Sequence, residues 1–432
     1  MSKHNEINLS PFTGFSKLTF KERLSKLKFF AGLSADELEA LAGDAKGLTI
    51  HHAEHLIENV IGVFSLPLGV ATHFKIDGRD VLIPMAVEET SIIAAVSGAA
   101  KWVRKNGGFK TKSLGNLIIG QVQFPSLQNT AMFRKKIEEN TDDLIAKANA
   151  VIPNLVLRGG GVVGIQVREI SRPDGKTMGV LHILCNPCNA MGANLINQVC
   201  EAMKIPLEKL TGEKIGLCIL SNLVDTKLCE ATCEIEDITP ELGKAIEQAT
   251  MFANLDPYRC ATHNKGVMNG IDPILIATGN DWRAVEAGIH AYIAMNGKYH
   301  SITDWKYTDG KLKGVLTAPL AVGTVGGVTQ IHPTAKACIK ILGVEHADEL
   351  ARICAATGLA QNLAALKALC TVGIVEGHMK LHAANLALAA GAIKHEIHIV
   401  QEKLKKEKRI TLTRAKELLL QIRQESSQAV SV

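Results

Sequence analysis

The chain has 432 residues, 47% hydrophobic and 21% charged, with a formal net charge of +5. That length holds two or three domains, the balance is that of a globular protein, and the charge is too slight to imply nucleic acid. It suits a small substrate carrying phosphates and a carboxylate. Aromatic residues make up only 4%, so the core must be aliphatic and alanine-rich. No continuous apolar run reaches the ~18 residues of a membrane helix. The first residues, Met1 to Glu6, lack the apolar stretch of a secretory signal. The 10 cysteines are scattered, which points to reduced thiols in a cytoplasmic enzyme rather than a disulfide frame.

Residues 1–14 read as a loose tail. Lys21 to Ala45 has helical spacing, with a cap signal at Ser34-Ala-Asp-Glu. His51, His52 and His55 lie close together, but no acidic or cysteine ligand stands at a recognisable metal spacing, so no metal is expected. Glu58 to Gly69 carries Gly62 and Pro67 and reads as a loop or short strand. Val81 to Val87 is an apolar strand, followed by Glu88 and Glu89 and then by an alanine-rich helix from Ser91 to Trp102. Two carboxyls therefore stand at a strand-to-helix junction, where a helix N-terminus favours negative charge. Neighbouring carboxyls also repel as anions, which favours keeping a proton on one.

Composition shifts at Asn106-Gly-Gly-Phe. The following segments read strand (Gly115 to Phe124), helix (Thr130 to Ala148), strand (Val162 to Ile170), strand (Thr177 to Leu184), helix (Ala190 to Met203) and strand (Gly216 to Ser221). This is the ferredoxin-like order. Gly159 to Gly164 matches G-x-G-x-x-G but leads into a strand, so it is not a Rossmann fingerprint. If a dinucleotide binds, Asn189-Ala-Met-Gly-Ala-Asn194 is the better site, because small residues open a helix whose amides can approach a pyrophosphate. Val151 to Arg158 holds no acid for a ribose 2′-hydroxyl but does hold Arg158, which leaves NADH and NADPH both open. Cys185 and Cys188 have C-x-x-C spacing without a thioredoxin-like context.

Tyr258 to Pro273 contains two glycines and a proline and reads as a polar loop. Ile274 to Ala277 reads as a short strand, and Ala284 to Ala294 as a helix. Lys265 then sits in a loop as a fixed cation, with Asp281 available to hold its ammonium. Arg259 and Asn269 flank it and offer donors to a carboxylate or carbonyl. Gly323 to Gly327 is a glycine-rich turn that either approaches a ligand or packs helices. His378 and His382 share one helix face, but Lys380 stands where a metalloprotease needs glutamate. Lys403 to Arg409 is a basic run without interleaved aromatics, so it reads as a solvated face, and Thr413 can cap a last amphipathic helix.

Several of these segments resemble, in order, the bacterial (class II) type of hydroxymethylglutaryl-coenzyme A reductases. They are Glu58 to Gly62 with Pro67, Glu88 to Ile92, Ala190 to Asn194, His263 to Gly266, Met268 to Pro273, Gly279 to Ala284, Gly323 to Gly327 and Gly377 to Met379. The similarity runs through nearly the whole chain. It implies an α+β protein with a large, mainly helical domain around a central helix and small sheet. Residues 1–109 and 222–376 would form that domain, with an inserted ferredoxin-like, non-Rossmann cofactor domain at 110–221 and a small C-terminal helical flap at 377–432.

By the same resemblance Glu89, Lys265, Asp281 and His378 are catalytic. Asn189, Ala190, Met191, Gly192 and Asn194 bind NADH or NADPH. Arg259, Asn269 and His382 contact an acyl-coenzyme A substrate. Asn189 departs from the family, which usually has aspartate there. The site is expected at the interface of a homodimer or larger homo-oligomer, with no membrane or nucleic-acid partner. An alternative is an acyl-coenzyme A-binding protein of the same fold with impaired chemistry. A generic 3-hydroxyacyl dehydrogenase is disfavoured by the lack of a Rossmann context.

Overall fold

The buried apolar side chains of the computed structural model gather into two large cores. One is built from residues 71–109 and 229–366, the other from residues 118–224. The structure describes residues 10–43, 46–371, 373, 383–407 and 410–429.

In the N-terminal part, Phe20–Ala31 and Ala35–Ala42 are helices, each opened by a capping box, Thr19 with Glu22 and Ser34 with Glu37. β1 (Leu68–Ile76) and β2 (Arg79–Ala86) form a two-stranded antiparallel sheet. α1 (Ile92–Lys105) follows and buries Val96, Ala100 and Val103 against the first core. β3 (Lys110–Ser113) belongs to that core as well, although it was expected to open the inserted unit. It pairs with β8 (Leu228–Ile235) in an antiparallel sheet completed by β9 (Thr303–Thr308) and β10 (Lys311–Pro319), in the order β3-β8-β10-β9.

The second core holds β4 (Ile118–Phe124), β5 (Gly161–Ser171), β6 (Thr177–Asn186), α2 (Ala193–Ala202) and β7 (Cys218–Ser221). Its sheet has the order β5-β6-β4-β7, antiparallel throughout, with the first and third strands of the unit in the centre. That is the ferredoxin-like topology. The helix expected over Thr130 to Ala148 is two, Thr130–Glu139 and Thr141–Ala150, broken at Asn140.

The chain enters and leaves this unit along two crossings that lie side by side. Leu114 N donates to Leu228 O at 2.7 Å, and Leu117 N donates to Thr226 O at 3.3 Å. Gly115 stands between them because any Cβ there would lie 2.2 Å from Thr226 O.

The main correction concerns Tyr258 to Ala277. This is neither loop nor strand but a single helix, α3 (Pro257–Ala277). Asp256 caps it by accepting from Arg259 N at 2.8 Å, and Pro257 occupies the first turn, where its missing N–H costs nothing. Helix α4 (Trp282–Ala294) starts after a short turn, with Asp281 as its N-cap accepting from Ala284 N at 3.1 Å. The glycines and Pro273 of α3 weaken it locally, and tertiary packing compensates. A Cβ on Gly270 would meet both Gln361 Cβ and Thr357 O at 2.8 Å. Only glycine lets α3 approach α5 (Ala347–Cys370) this closely.

α5 is long and apolar enough to cross a membrane by length and mean composition, although polar residues interrupt its apolar runs. It is instead the central helix of the first core, with 67% of its most apolar window buried inside the protein. At the C-terminus, Lys394–Leu404 and Leu412–Ala429 pack with Ala383 and Ala387 into a separate small core.

Candidate active site

Glu89 lies in the turn between β2 and α1, and Lys265 projects from the middle of α3. The Lys265 ammonium donates to Glu89 Oε2 at 3.4 Å. Both line a cavity of 440 Å³ with Arg259, Thr262, His263, Asn269, Gln361 and Ala368. Its walls are mostly apolar and its polar groups converge, as in sites that hold a small ligand. Ser91, at the rim, has φ 79, a left-handed conformation rare for a residue with a side chain. Such strain is concentrated at functional sites.

The helical state of α3 explains the grouping. Arg259, Thr262, Gly266 and Asn269 follow one another at three- and four-residue spacing and so share one face. Partial burial disfavours the charged Arg259 guanidinium, yet arginine remains a cation and can grip a carboxylate.

His263 is 2% exposed, and burial, with Arg259 adding to it, pushes its imidazole down to about 3. It is therefore neutral. Trp305 Nε1–H, which can only donate, bonds Asn362 Oδ1 at 2.8 Å and so fixes that amide. The Asn362 amide nitrogen then faces His263 Nε2 at 3.1 Å, which makes Nε2 the acceptor and puts the ring proton on Nδ1. Among the described residues Nδ1 has no hydrogen-bond partner. Gln361 Oε1 is another buried, unpartnered polar atom among the cavity-lining side chains.

Thr262, His263, Gln361 and Asn362 were not singled out in the sequence. The three- and four-residue spacing from Arg259 to Asn269 was the signal, and reading the segment as a loop concealed it.

Asp281 lies elsewhere. Asn280 N bonds Leu275 O at 2.8 Å, which fixes the turn close to that residue. Leu275 is ten residues along α3 from Lys265, a rise of about 15 Å at 1.5 Å per residue. Within one chain Asp281 is therefore beyond the reach of the Lys265 ammonium. It lies 3.3 Å from Arg283 instead. Asn280 clamps the glycine-rich turn, accepting from Gly323 N at 2.8 Å and donating to Gly323 O at 3.1 Å.

That turn presses on the segment expected to bind cofactor. A Cβ on Gly323 would lie 2.6 Å from Met191 N, and Thr324 N donates to Asn189 O at 2.9 Å. Ala190, Met191 and Gly192 precede α2 rather than forming its first turn, and Gly192 has φ 92. Asn194 lies within the first turn of α2, whose N-terminus has no side-chain cap.

Beside this terminus is a cavity of 620 Å³ lined by Asn154, Arg158, Asn189, Ala190 and Gln198, with no carboxylate among its lining residues. Free amides, a helix dipole and an arginine make a donor set for phosphates. The Asn189 side chain accepts from Ala347 N at 3.2 Å, and its amide nitrogen lies 3.3 Å from His346 Nδ1. Asparagine here thus ties the segment to the start of α5.

His378 and His382 lie outside the described residues. Among the described residues no group of three or more His, Cys, Asp or Glu side chains is arranged to hold a metal ion. His51 and His52 sit in a short helix, Ile50–Glu54, with His55 directly after it. The Cys185 thiol is pushed up to about 12 by burial, which makes it a poor redox nucleophile.

Comparison with known proteins shows the family. The family profile for hydroxymethylglutaryl-coenzyme A reductase matches residues 19–383. A 3-hydroxy-3-methylglutaryl-coenzyme A reductase from Archaeoglobus fulgidus is 47% identical over 418 residues, covering 96% of this chain and 95% of the relative. A probable reductase of the same kind from Borreliella burgdorferi is 34% identical over 76% of each chain. Among solved structures, the reductase from Streptococcus pneumoniae superimposes with a TM-score of 0.81 at 39% identity, over 95% of this chain and 99% of that one. A class II reductase from the same organism, bound to NADPH in open conformations, gives a TM-score of 0.79 at 39% identity, over 94% of this chain and 100% of that one. With the fold, the cavity and these relatives in agreement, the chain belongs to the hydroxymethylglutaryl-coenzyme A reductase family of oxidoreductases.

Proposed function

We propose that the chain interconverts 3-hydroxy-3-methylglutaryl-coenzyme A and mevalonate plus coenzyme A, using NADPH, at a site completed by a second copy of itself. The observation that carries this is the Lys265–Glu89 pair in a cavity that also presents Arg259 and Asn269. Reducing a thioester to an alcohol takes two hydride transfers, which the nicotinamide cofactor supplies when bound. Negative charge develops on the carbonyl oxygen each time. Lys265 stabilises that oxygen, an effect commonly worth a few kcal/mol. Glu89, in contact with the ammonium, supplies the proton that ends on oxygen. Arg259 holds the substrate's free carboxylate, and Asn269 offers a further donor. The coenzyme A thiolate departs and takes a proton from His378, with His382 in support.

Asp281 is the fourth catalytic residue of this reading. Since it cannot reach Lys265 within one chain, the aspartate of a second copy meets the lysine, which makes the enzyme a homodimer or a larger assembly of such dimers. The cofactor segment is tied through Gly323 and Asn280 to Asp281. It therefore comes to the cavity from the same second copy. Arg158, with no carboxylate in its cavity, favours the 2′-phosphate of NADPH over the bare ribose of NADH. Ten unpaired cysteines suit a reducing compartment, which supports a cytoplasmic location.

The test is to follow absorbance with NADPH and NADH in parallel, in both directions. NADPH should give at least a ~10-fold higher kcat/KM, about 1.4 kcal/mol in transition-state terms. A preference for NADH would overturn the cofactor assignment, and no turnover with either would overturn the function. His378→Gln should slow thioester reduction more than reduction of free mevaldate, and equal losses would remove the thiolate role.

A further inference from the structure

Lys227 stands where the chain leaves the ferredoxin-like unit, and it has no assigned part in the chemistry above. Its side chain is only 5% exposed. Among the described residues no hydrogen bond or ion pair to its ammonium is found. It lines a cavity of 350 Å³ with Asn116, Asn186, Asn189, His346 and Asp348. Burial lowers the proton affinity of this amine, and an anion in the cavity would hold it in its charged form. The one carboxylate among the lining residues, Asp348, is engaged by Arg352 Nη2 at 3.2 Å.

The same cavity borders the first turn of α5, where Asp348 and Glu349 offset the positive end of the helix, so the attraction for an anion rests on Lys227. The side-chain amides of Asn116 and Asn186 add neutral donor capacity around the ammonium.

We propose that this cavity is a binding site for a phosphate group carried by a small molecule, with Lys227 as its central cation. The site lies where the two crossings, 113–117 and 226–229, join the two cores, and it borders Asn189 of the cofactor segment. An occupant contacts both cores at once and so biases how the cofactor segment is held against α5.

The phosphate could belong to a separate metabolite or to the cofactor itself, and the experiment distinguishes these. The intact enzyme is treated with acetic anhydride, and acetylation of Lys227 is followed by peptide mass spectrometry. Inorganic phosphate is the probe, against chloride at equal ionic strength. At about ten times its Kd, phosphate should slow Lys227 acetylation ~10-fold by mass action and leave the exposed Lys135 unchanged. Calorimetric titration with phosphate should lose its binding signal in Lys227→Met. Should that variant not fold, the wild-type protection experiment decides alone. Equal rates in phosphate and chloride, or equal slowing at Lys135, would overturn the proposal. If NADPH displaces phosphate, the site takes a phosphate of the cofactor. If both bind together, it takes a separate phosphorylated effector, and either result upholds the site.

Discussion

Lys265 and Glu89 meet across 176 positions of sequence, the ammonium 3.4 Å from Oε2, bringing the middle of α3 against the turn before α1. The pair is solvent-accessible, with 63% and 42% of the two side chains exposed. An exposed pair of this kind adds little to stability. In the proposed mechanism its value lies in holding a cation ready for a negative oxygen. Lys265→Ala should therefore lower kcat/KM by a factor of about 10² to 10³ while leaving the melting temperature unchanged. Turnover of the thioester substrate and a thermal melt check both halves. Undiminished turnover would remove Lys265 from the mechanism.

The separation of Lys265 from Asp281 along α3 gives a test of site sharing. Lys265→Ala and Asp281→Asn homodimers should each be nearly inactive. Mixed and re-equilibrated, the two inactive proteins should recover about a quarter of wild-type activity, since half the dimers are hybrids with one intact site of two. A site contained in one chain would recover nothing.

Gly270 is where α3 touches α5 most closely. Gly270→Ala forces a methyl group against Gln361 Cβ and Thr357 O, both 2.8 Å away. Overpacking of this type costs about 1–3 kcal/mol. Urea denaturation should report the loss, and the shift of Gln361 should raise the substrate KM as well. An unchanged denaturation midpoint would show that the two helices can separate freely.

Asp272, on α3, faces Glu286 on α4. Burial, then the hydrogen bond and charge of Glu286, push its carboxyl up to about 8, and among the described residues Oδ1 has no hydrogen-bond partner. A carboxyl whose folded-state affinity for protons exceeds its unfolded value stabilises most below the unfolded pKa, 3.8. That contribution is lost as pH rises toward the folded value. Stability should therefore decline between about pH 4 and pH 8 from this group. Asp272→Asn should flatten that slope in melts taken across the range. The same slope in the variant would point to another group.

Much of this was legible from the residues. The ferredoxin-like unit emerged from strand and helix order alone, because alternating and helical patterns there are clean. The capping box at Ser34 and Glu37 was equally plain, since it is local chemistry. Glu89 and Lys265 could each be named as catalytic only through resemblance, and their contact was not foreseen, because no local rule links residues so far apart. The state of α3 could not be read from propensity. Gly266, Gly270 and Pro273 all argue for a break, and contact with α5 overrides them. That single misreading also hid Thr262 and His263, whose place in the cavity depends on helical spacing. His263 carries a further lesson: its neutrality and tautomer follow from Trp305 and Asn362, which no sequence window brings together.

α5 touches both ends of this story. Its first residue, Ala347, is held by Asn189, and Gln361 to Ala368, toward its other end, wall the cavity around Lys265. At 24 residues it is a strut of about 36 Å, packed on nearly every side. A tilt at either end of such a strut is felt at the other without any loop having to carry the message. Distant substitutions along its length should then alter cofactor and substrate affinities in concert.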